Sequence, residues 1–323
     1  MGDKTLVTGG AGFVGSTLVR ALLDKEHSVT VLDNLSTGFR NNLPPSDRLT
    51  LITGDVRDFE LVSTIVHGHK MVIHLAAQAF IPFSYEAPLQ VADVNAMGSI
   101  NVFKACLNHE VKRLVHVSSS EVYGSAKYVP MDEAHPLGPL STYSVAKAAA
   151  DMWAQTFHWE HRLPVVILRP FNTFGPRENL PYFIPDMIRQ CIKEPSIHVG
   201  NLEAERDFTY VDDVANAMVA ALETEDIEGE KINLGTSRTH TMKAVLDLIK
   251  SRVGVEDKEV KVESGRLRLK DVEVLIADNR KAKRILGWTP ETEFEEGMQK
   301  TVEWYNTQGR MWGYENRGWP WRY

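Results

Sequence analysis

Along the first half of the chain, short apolar runs alternate with stretches whose apolar positions recur at helical spacing. Lys4–Thr8, Val29–Leu32, Leu49–Thr53, Met71–Leu75, Leu114–Val117 and Val165–Leu168 are rich in Val, Ile and Leu and do not alternate with polar residues. That is the pattern of strands buried on both faces. Between them, Ser16–Asp24 carries Leu18, Val19, Leu22 and Leu23, and Val102–Asn108 repeats the helical period. Strand–helix–strand repetition at this spacing predicts a parallel, doubly wound α/β sheet with helices on both sides.

After about Phe171 the pattern changes. Pro176, Pro181, Pro185 and Pro195 divide the chain into short pieces. A strand–helix unit returns at Phe208–Leu222 and a strand at Lys231–Leu234, followed by helical stretches at Thr241–Arg252, Asn279–Leu286 and Phe294–Tyr305. The reading is two interleaved lobes: 1–171 with 206–234, and a smaller C-terminal α/β lobe of 172–205 with 235–323. Ligands of open α/β sheets bind outside the carboxyl ends of the strands, so the cleft between the lobes is the expected site.

Composition narrows the partners. The 323 residues carry a net charge of −7 with the charges interspersed, which disfavours nucleic acid or an anionic membrane surface as a partner. No apolar run approaches the roughly 20 residues that span a bilayer, and the strand-like start after Met1 is unlike a signal peptide. Two distant cysteines, Cys106 and Cys191, fit reduced thiols and a cytoplasmic location. His74, His116 and His158 have no metal-ligand spacing and read as structural; no metal is expected.

The first strand runs into Thr8-Gly9-Gly10-Ala11-Gly12-Phe13-Val14-Gly15, which satisfies G-x-G-x-x-G at Gly10, Gly12 and Gly15 just before a helix. Glycines at these places permit a tight turn and close approach of a pyrophosphate, and the helix N-terminus offers free N–H groups to it. Asp33 ends the second strand about 20 residues on, where an acid accepts hydrogen bonds from a ribose 2′-hydroxyl and repels a 2′-phosphate. NAD is therefore expected over NADP, and Arg40 reads as a surface residue.

Tyr143 and Lys147 lie four residues apart at the start of a helical stretch running to about His161, and so share a face. A phenol is a poor base at neutral pH; a nearby ammonium and a positive nicotinamide would favour its phenolate. It could then take a proton from a sugar hydroxyl during oxidation. Ser118-Ser119-Ser120-Glu121 follows a strand at its carboxyl end, with hydroxyls to bond a reacting oxygen and Glu121 as a candidate acid or base. A polar turn with a solvated Glu121 is the alternative for this segment taken alone.

With these motifs and the segments Asp33–Gly38 (DNLSTG), Gly54–Asp58 (GDVRD), His74–Ala77 (HLAA), Leu168–Pro176 (LRPFNTFGP) and Arg206–Asp213 (RDFTYVDD), the chain resembles the nucleotide-sugar epimerases and dehydratases of the extended short-chain dehydrogenase/reductase family from Lys4 to about Tyr305. The resemblance implies a Rossmann fold and NAD held by Gly9, Gly12, Phe13, Val14, Gly15, Asp33, Asn34, Ser36 and Gly38. It adds Asp55 and Val56 along the adenine, Leu75, Ala76, Ala77 and Asn95 near the cofactor, and Ser118, Pro170, Tyr143 and Lys147. It implies Asn172, Arg206 and Arg268 as holders of the substrate diphosphate and nucleotide, in keeping with bidentate binding of phosphate by arginine; Arg266 competes with Arg268. Gln78, Phe80 and Tyr85 follow a strand end and are candidates for the sugar pocket.

Within the family, Glu121 discriminates. Oxidation at C4 acidifies the C5 proton, and a dehydratase needs a base to remove it as hydroxide leaves C6; a 4-epimerase needs none. Ser119, Ser120, Glu121, Tyr143 and Lys147 form the expected catalytic set, and the preferred activity is a 4,6-dehydratase. A 4-epimerase and a UDP-glucuronate decarboxylase are the alternatives. The segments Ser120–Pro136, Arg266-Leu267-Arg268 and Ala277-Asp278-Asn279 look most like dehydratases of legionaminic-acid type, which act on a nucleotide-linked N-acetylglucosamine. Helices at Asn95–Leu107 and Tyr143–His161 resemble those of the family's dimer interface, so a homodimer is expected. The aromatic tail Met311–Tyr323 reads as a segment packed on its own lobe.

Overall fold

A computed structural model describes residues 4–266 and 272–308. Arg268 and the tail Met311–Tyr323 lie outside the described residues. Seven strands form the central sheet: β1 (Lys4–Thr8), β2 (Ser28–Asp33), β3 (Leu49–Thr53), β4 (Met71–His74), β5 (Arg113–Val117), β6 (Val165–Pro170) and β7 (Lys231–Leu234). Their order is β7-β6-β5-β4-β1-β2-β3, and every pairing is parallel. The order reverses beside β1, and at such a switch point the loops of β1 and β4 diverge and leave a crevice.

Helices cover both faces. On one, Leu18 and Leu22 of the helix Phe13–Asp24 meet Val214 and Met218 of the helix Val211–Glu223 in the cluster that also buries Val7 and Val115. On the other, Val62, Val102, Phe103 and Phe157 pack with Leu6, Leu32 and Leu114. Capping fixes where the helices begin. Asp58 accepts from the N–H of Leu61, and Ser141 and Ser144 cap each other's backbone at the start of Thr142–His161.

The helix expected from Asn95 is longer and interrupted. Pro88–Ala92 continues through a wide π-type turn, Asp93–Met97, into Gly98–Asn108. The strand Phe208–Tyr210 pairs with Asn172–Phe174 rather than with the central sheet, because the chain has already left the sheet at Pro170. Phe174, Phe208, Tyr210 and Phe294 then build a second apolar cluster with Ile184, Met187, Leu246 and Met298. Ala282 and Trp288 pack back into the sheet's own cluster, with Trp288 Nε1 donating to the carbonyl of Asp213. No helix among the described residues is long and apolar enough to cross a membrane.

Candidate active site

A cleft of about 750 Å³ runs along the carboxyl ends of β1, β2, β4, β5 and β6 and between the two apolar clusters. The glycine turn forms one wall. Gly9 has φ +74, and a Cβ on it would stand 2.7 Å from the backbone N of Ala76. On Gly15 a Cβ would stand 2.2 Å from the carbonyl of Gly9. Neither position has space for a side chain, so the turn stays tight and its backbone faces the cleft. Asp33 accepts from Ala11 N at 2.9 Å and from Leu35 N at 2.8 Å. Burial pushes its carboxyl up, and these two N–H groups pull it back down. Each carboxylate oxygen has a further lone pair for a ribose hydroxyl, so the turn and Asp33 fit a dinucleotide with a free 2′-hydroxyl. Arg40, the one cation the sequence placed nearby, is exposed.

Most expected cofactor residues line this cleft: Gly9, Gly12, Phe13, Val14, Gly15, Asp33, Asn34 and Ser36 from the first two loops, and Val56, Leu75, Ala76, Ala77, Ser118 and Pro170 beyond them. Three take other places. Gly38 packs on the backbone of Ala11. Asp55 accepts from Arg57 and from Asn34 Nδ2 at 2.9 Å, and the bond from Arg57 is the main reason its carboxyl falls to about 2. Asn95, in the π-type turn, is wholly buried; its Oδ1 accepts from Gln78 N at 2.7 Å and its Nδ2 donates to Gln78 O at 3.0 Å. It fixes the backbone of a lining residue.

At the far end stand Ser119, Ser120, Glu121, Tyr143 and Lys147, all lining the cleft. Lys147 is buried and its Nζ donates to Val117 O at 2.8 Å, tying the helix to the end of β5. Burial lowers the ammonium to about 8, and Asp151 pulls it back up. Ser119 lies beside the Tyr143 hydroxyl. Burial chiefly pushes that hydroxyl up to about 12, Ser119 lowers it, and the charges of Glu121 and Asp151 raise it. The pocket by itself therefore keeps the phenol protonated, contrary to a lysine-driven phenolate, because burial outweighs the other influences. Ser119 also accepts from the N–H of Glu121 at 3.2 Å, which fixes the turn carrying the glutamate.

Gln78, Asn172 and Arg206, expected on the substrate side, also line the cleft. Arg206 Nη1 donates to the carbonyls of Glu205 and Glu273. Arg266, pairing with Asp186 at 2.9 Å, also lines the cleft. A strap, 79–86, closes the reacting end: Ile81 packs with Val91 and Tyr143, while Phe80 lies edge-on to Tyr182, whose hydroxyl donates to Ala79 O. Phe80 and Tyr85 are both in the lining. Glu178, which no sequence motif marks, lines the cleft from a loop, buried, with Oε2 lacking a hydrogen-bond partner among the described residues.

Comparison with known proteins agrees with this geometry. The family described as GDP-mannose 4,6 dehydratase matches residues 6–301. UDP-glucose 4-epimerase of Mycolicibacterium smegmatis is 32% identical over 319 residues, covering 95% of this chain and 100% of that protein. The structure of UDP-glucose 4-epimerase from Thermotoga maritima with UDP-glucose superposes with a TM-score of 0.88 at 34% identity, covering 94% of this chain and 99% of that one. A dTDP-glucose 4,6-dehydratase from Streptomyces venezuelae with NAD bound gives a TM-score of 0.89 at 30% identity, covering 98% of both chains. The relatives thus divide between epimerases and dehydratases on one fold. The chain belongs to the GDP-mannose 4,6-dehydratase family, within the extended short-chain dehydrogenase/reductases, and is an NAD-dependent enzyme of the nucleotide-sugar dehydratase and epimerase group.

Proposed function

We propose that this enzyme is an NAD-dependent 4,6-dehydratase of a nucleotide-linked N-acetylglucosamine. The observation that carries the reading is Glu121: it lines the cleft beside Tyr143, close enough for its charge to act on the tyrosine hydroxyl. A carboxylate there serves removal of the C5 proton once C4 is a ketone. An epimerase that only turns the sugar between two transfers at C4 has no use for it.

Bound NAD supplies reversible two-electron oxidation at C4, with the hydride returned to C6 at the end of the cycle. The chain's own residues do the rest. With the Lys147 ammonium one helical turn away and a positive nicotinamide bound, Tyr143 would reach its phenolate and accept the C4 hydroxyl proton, with Ser119 beside the same oxygen. Glu121 takes the proton from C5 as hydroxide leaves C6. Asn172, Arg206 and Arg268 hold the diphosphate and nucleotide. In this reading the lobe of 1–171 and 206–234 carries NAD and that of 172–205 and 235–323 carries the nucleotide sugar.

The strap supports an uncharged sugar. Phe80, Ile81 and Phe83 offer apolar surface to an acetamido methyl, and Glu86 and Glu121 are the carboxylates among the lining residues of this end. Both would repel the carboxylate of a glucuronate. The names of several relatives favour 4-epimerisation as the second reading. A homodimer is part of the proposal, through the exposed face of Thr142–His161.

The test is incubation with NAD and a panel of UDP-, GDP- and dTDP-sugars, followed by mass spectrometry. Loss of one water from an N-acetylglucosamine nucleotide supports the dehydratase. Conversion without mass change would make the enzyme an epimerase, and loss of carbon dioxide from UDP-glucuronate would make it a decarboxylase.

A further inference from the structure

The segment 177–182 bridges the cleft from the glycine turn to the strap, and side chains pin it at both ends. Arg177 Nε donates to Ser16 Oγ at 3.2 Å and its Nη2 to Thr17 Oγ1 at 2.8 Å, near the start of the helix Phe13–Asp24. Asn179 Nδ2 donates to the carbonyl of Thr37, in the loop that follows Asp33. The hydroxyl of Tyr305 donates to the carbonyl of Glu178. Tyr182 reaches the strap, donating to Ala79 O at 2.8 Å.

These bonds hold an unfavourable backbone. Arg177 has φ +71, a left-handed conformation that a non-glycine residue keeps only where its surroundings enforce it. What the turn presents to the cleft is Glu178, 5% exposed, with Oε2 unpartnered among the described residues. A buried carboxyl without a partner costs free energy. The adjacent guanidinium does not relieve it, being committed to Ser16 and Thr17. Burial alone raises the carboxyl well above its ordinary value, with no cation offsetting it. The side chain is therefore a protonated acid with one O–H to donate.

The anchors say which ligand it meets. Ser16 and Thr17 stand on the helix that the glycine turn opens, and Thr37 on the loop beyond Asp33, the two loops that fit a dinucleotide. Its diphosphate belongs at the N-terminus of that helix and offers only acceptors. Among the described lining residues the cations are Lys147, Arg206 and Arg266, none of them on those two loops. An ionised carboxylate at this place would repel the diphosphate, whereas a neutral acid adds a donor to the backbone N–H groups.

We propose that Glu178 is a cofactor-binding residue that meets the diphosphate of NAD as a neutral hydrogen-bond donor. The inference is independent of which sugar reaction follows.

The test is titration of the full chain, freed of nucleotide, with NAD, ADP-ribose and adenosine. Glu178→Met, of similar length and without a donor, should weaken NAD and ADP-ribose by about ten- to a hundredfold, the range for a hydrogen bond to a charged group. Its affinity for adenosine should not change. Glu178→Gln keeps a donor and should bind all three as the wild type does. Undiminished NAD binding by Glu178→Met overturns the proposal. So does an equal loss for adenosine, the mark of a merely structural role, or a Glu178→Gln variant as weak as Glu178→Met. Infrared spectra decide if Glu178→Met fails to fold. The carbonyl stretch of a protonated carboxyl, absent from Glu178→Gln, should move to lower frequency when the wild type binds NAD. A spectrum without that band, or with a band that NAD leaves in place, overturns the proposal.

Discussion

The carboxylate of Asp33 accepts a hydrogen bond from the backbone N–H of Ala11 at 2.9 Å, so the residue that ends β2 also braces the glycine turn after β1. Selection of the ribose and the shape of the pyrophosphate site are therefore coupled. Asp33→Ala should lose NAD affinity by about ten- to a hundredfold, the range for removing one or two charged hydrogen bonds. It should also narrow the preference over NADP. Titration of the apo-enzyme with both dinucleotides measures this; unchanged NAD affinity would sink the assignment.

Glu121→Gln keeps the size of the side chain and removes the base. C4 oxidation should persist while water elimination falls by about 10²–10⁴-fold. The readout is exchange of label between NAD and the sugar alongside the mass of the product. Equal loss of both steps would mean that Glu121 does not act selectively at C5.

Glu178 offers a stability test. Burial raises its carboxyl well above the ordinary value of 4.5, so the native state holds a proton that the unfolded chain releases. The contribution is complete at low pH and is lost as pH rises from 4.5 through the raised value. Glu178→Gln removes that dependence. The wild type should therefore become progressively less stable relative to this variant as pH rises above the ordinary carboxyl range. A constant difference in denaturation midpoint over that rise would contradict it.

Val145, Met152 and Trp159 fall seven residues apart on the helix Thr142–His161 and stay exposed, at 53%, 60% and 67%, with Trp153 beside them. A stripe of that size in water marks an association surface, and a second copy of the chain is the proposed occupant. The double substitution Met152→Glu, Trp159→Glu should convert a dimer into a monomer in sedimentation experiments, with the fold retained. A monomeric wild type at micromolar concentration rejects this.

Much of the fold was legible because its signals are local. β1 and β3 coincide with apolar runs that do not alternate, and Tyr143, Lys147 and Glu121 sit in short motifs at a strand end or helix start. What escaped depends on partners distant in sequence. Asp151 looks like an ordinary polar helix residue until Arg169 and His116 surround it. Asn95 reads as a cofactor neighbour until the π-type turn aims its amide at Gln78. Phe208–Tyr210 has the composition of a sheet strand, yet it pairs with Asn172–Phe174 because the chain had already turned away at Pro170. Glu178 carries no local cue at all, since only tertiary burial makes its carboxyl unusual.

The central sheet is completed late. β7 pairs with β6 from sixty residues downstream, and the helix that covers Leu18 and Leu22 is supplied by 211–223. Cutting at Phe171 to make an exchangeable cofactor module would leave β6 as a bare edge and one face of the sheet uncovered, conditions that invite aggregation. Chimaeras between family members should therefore carry 206–234 together with 1–171. Nucleotide-sugar specificity would then be grafted as two separate segments joined to one frame, rather than as a terminal piece.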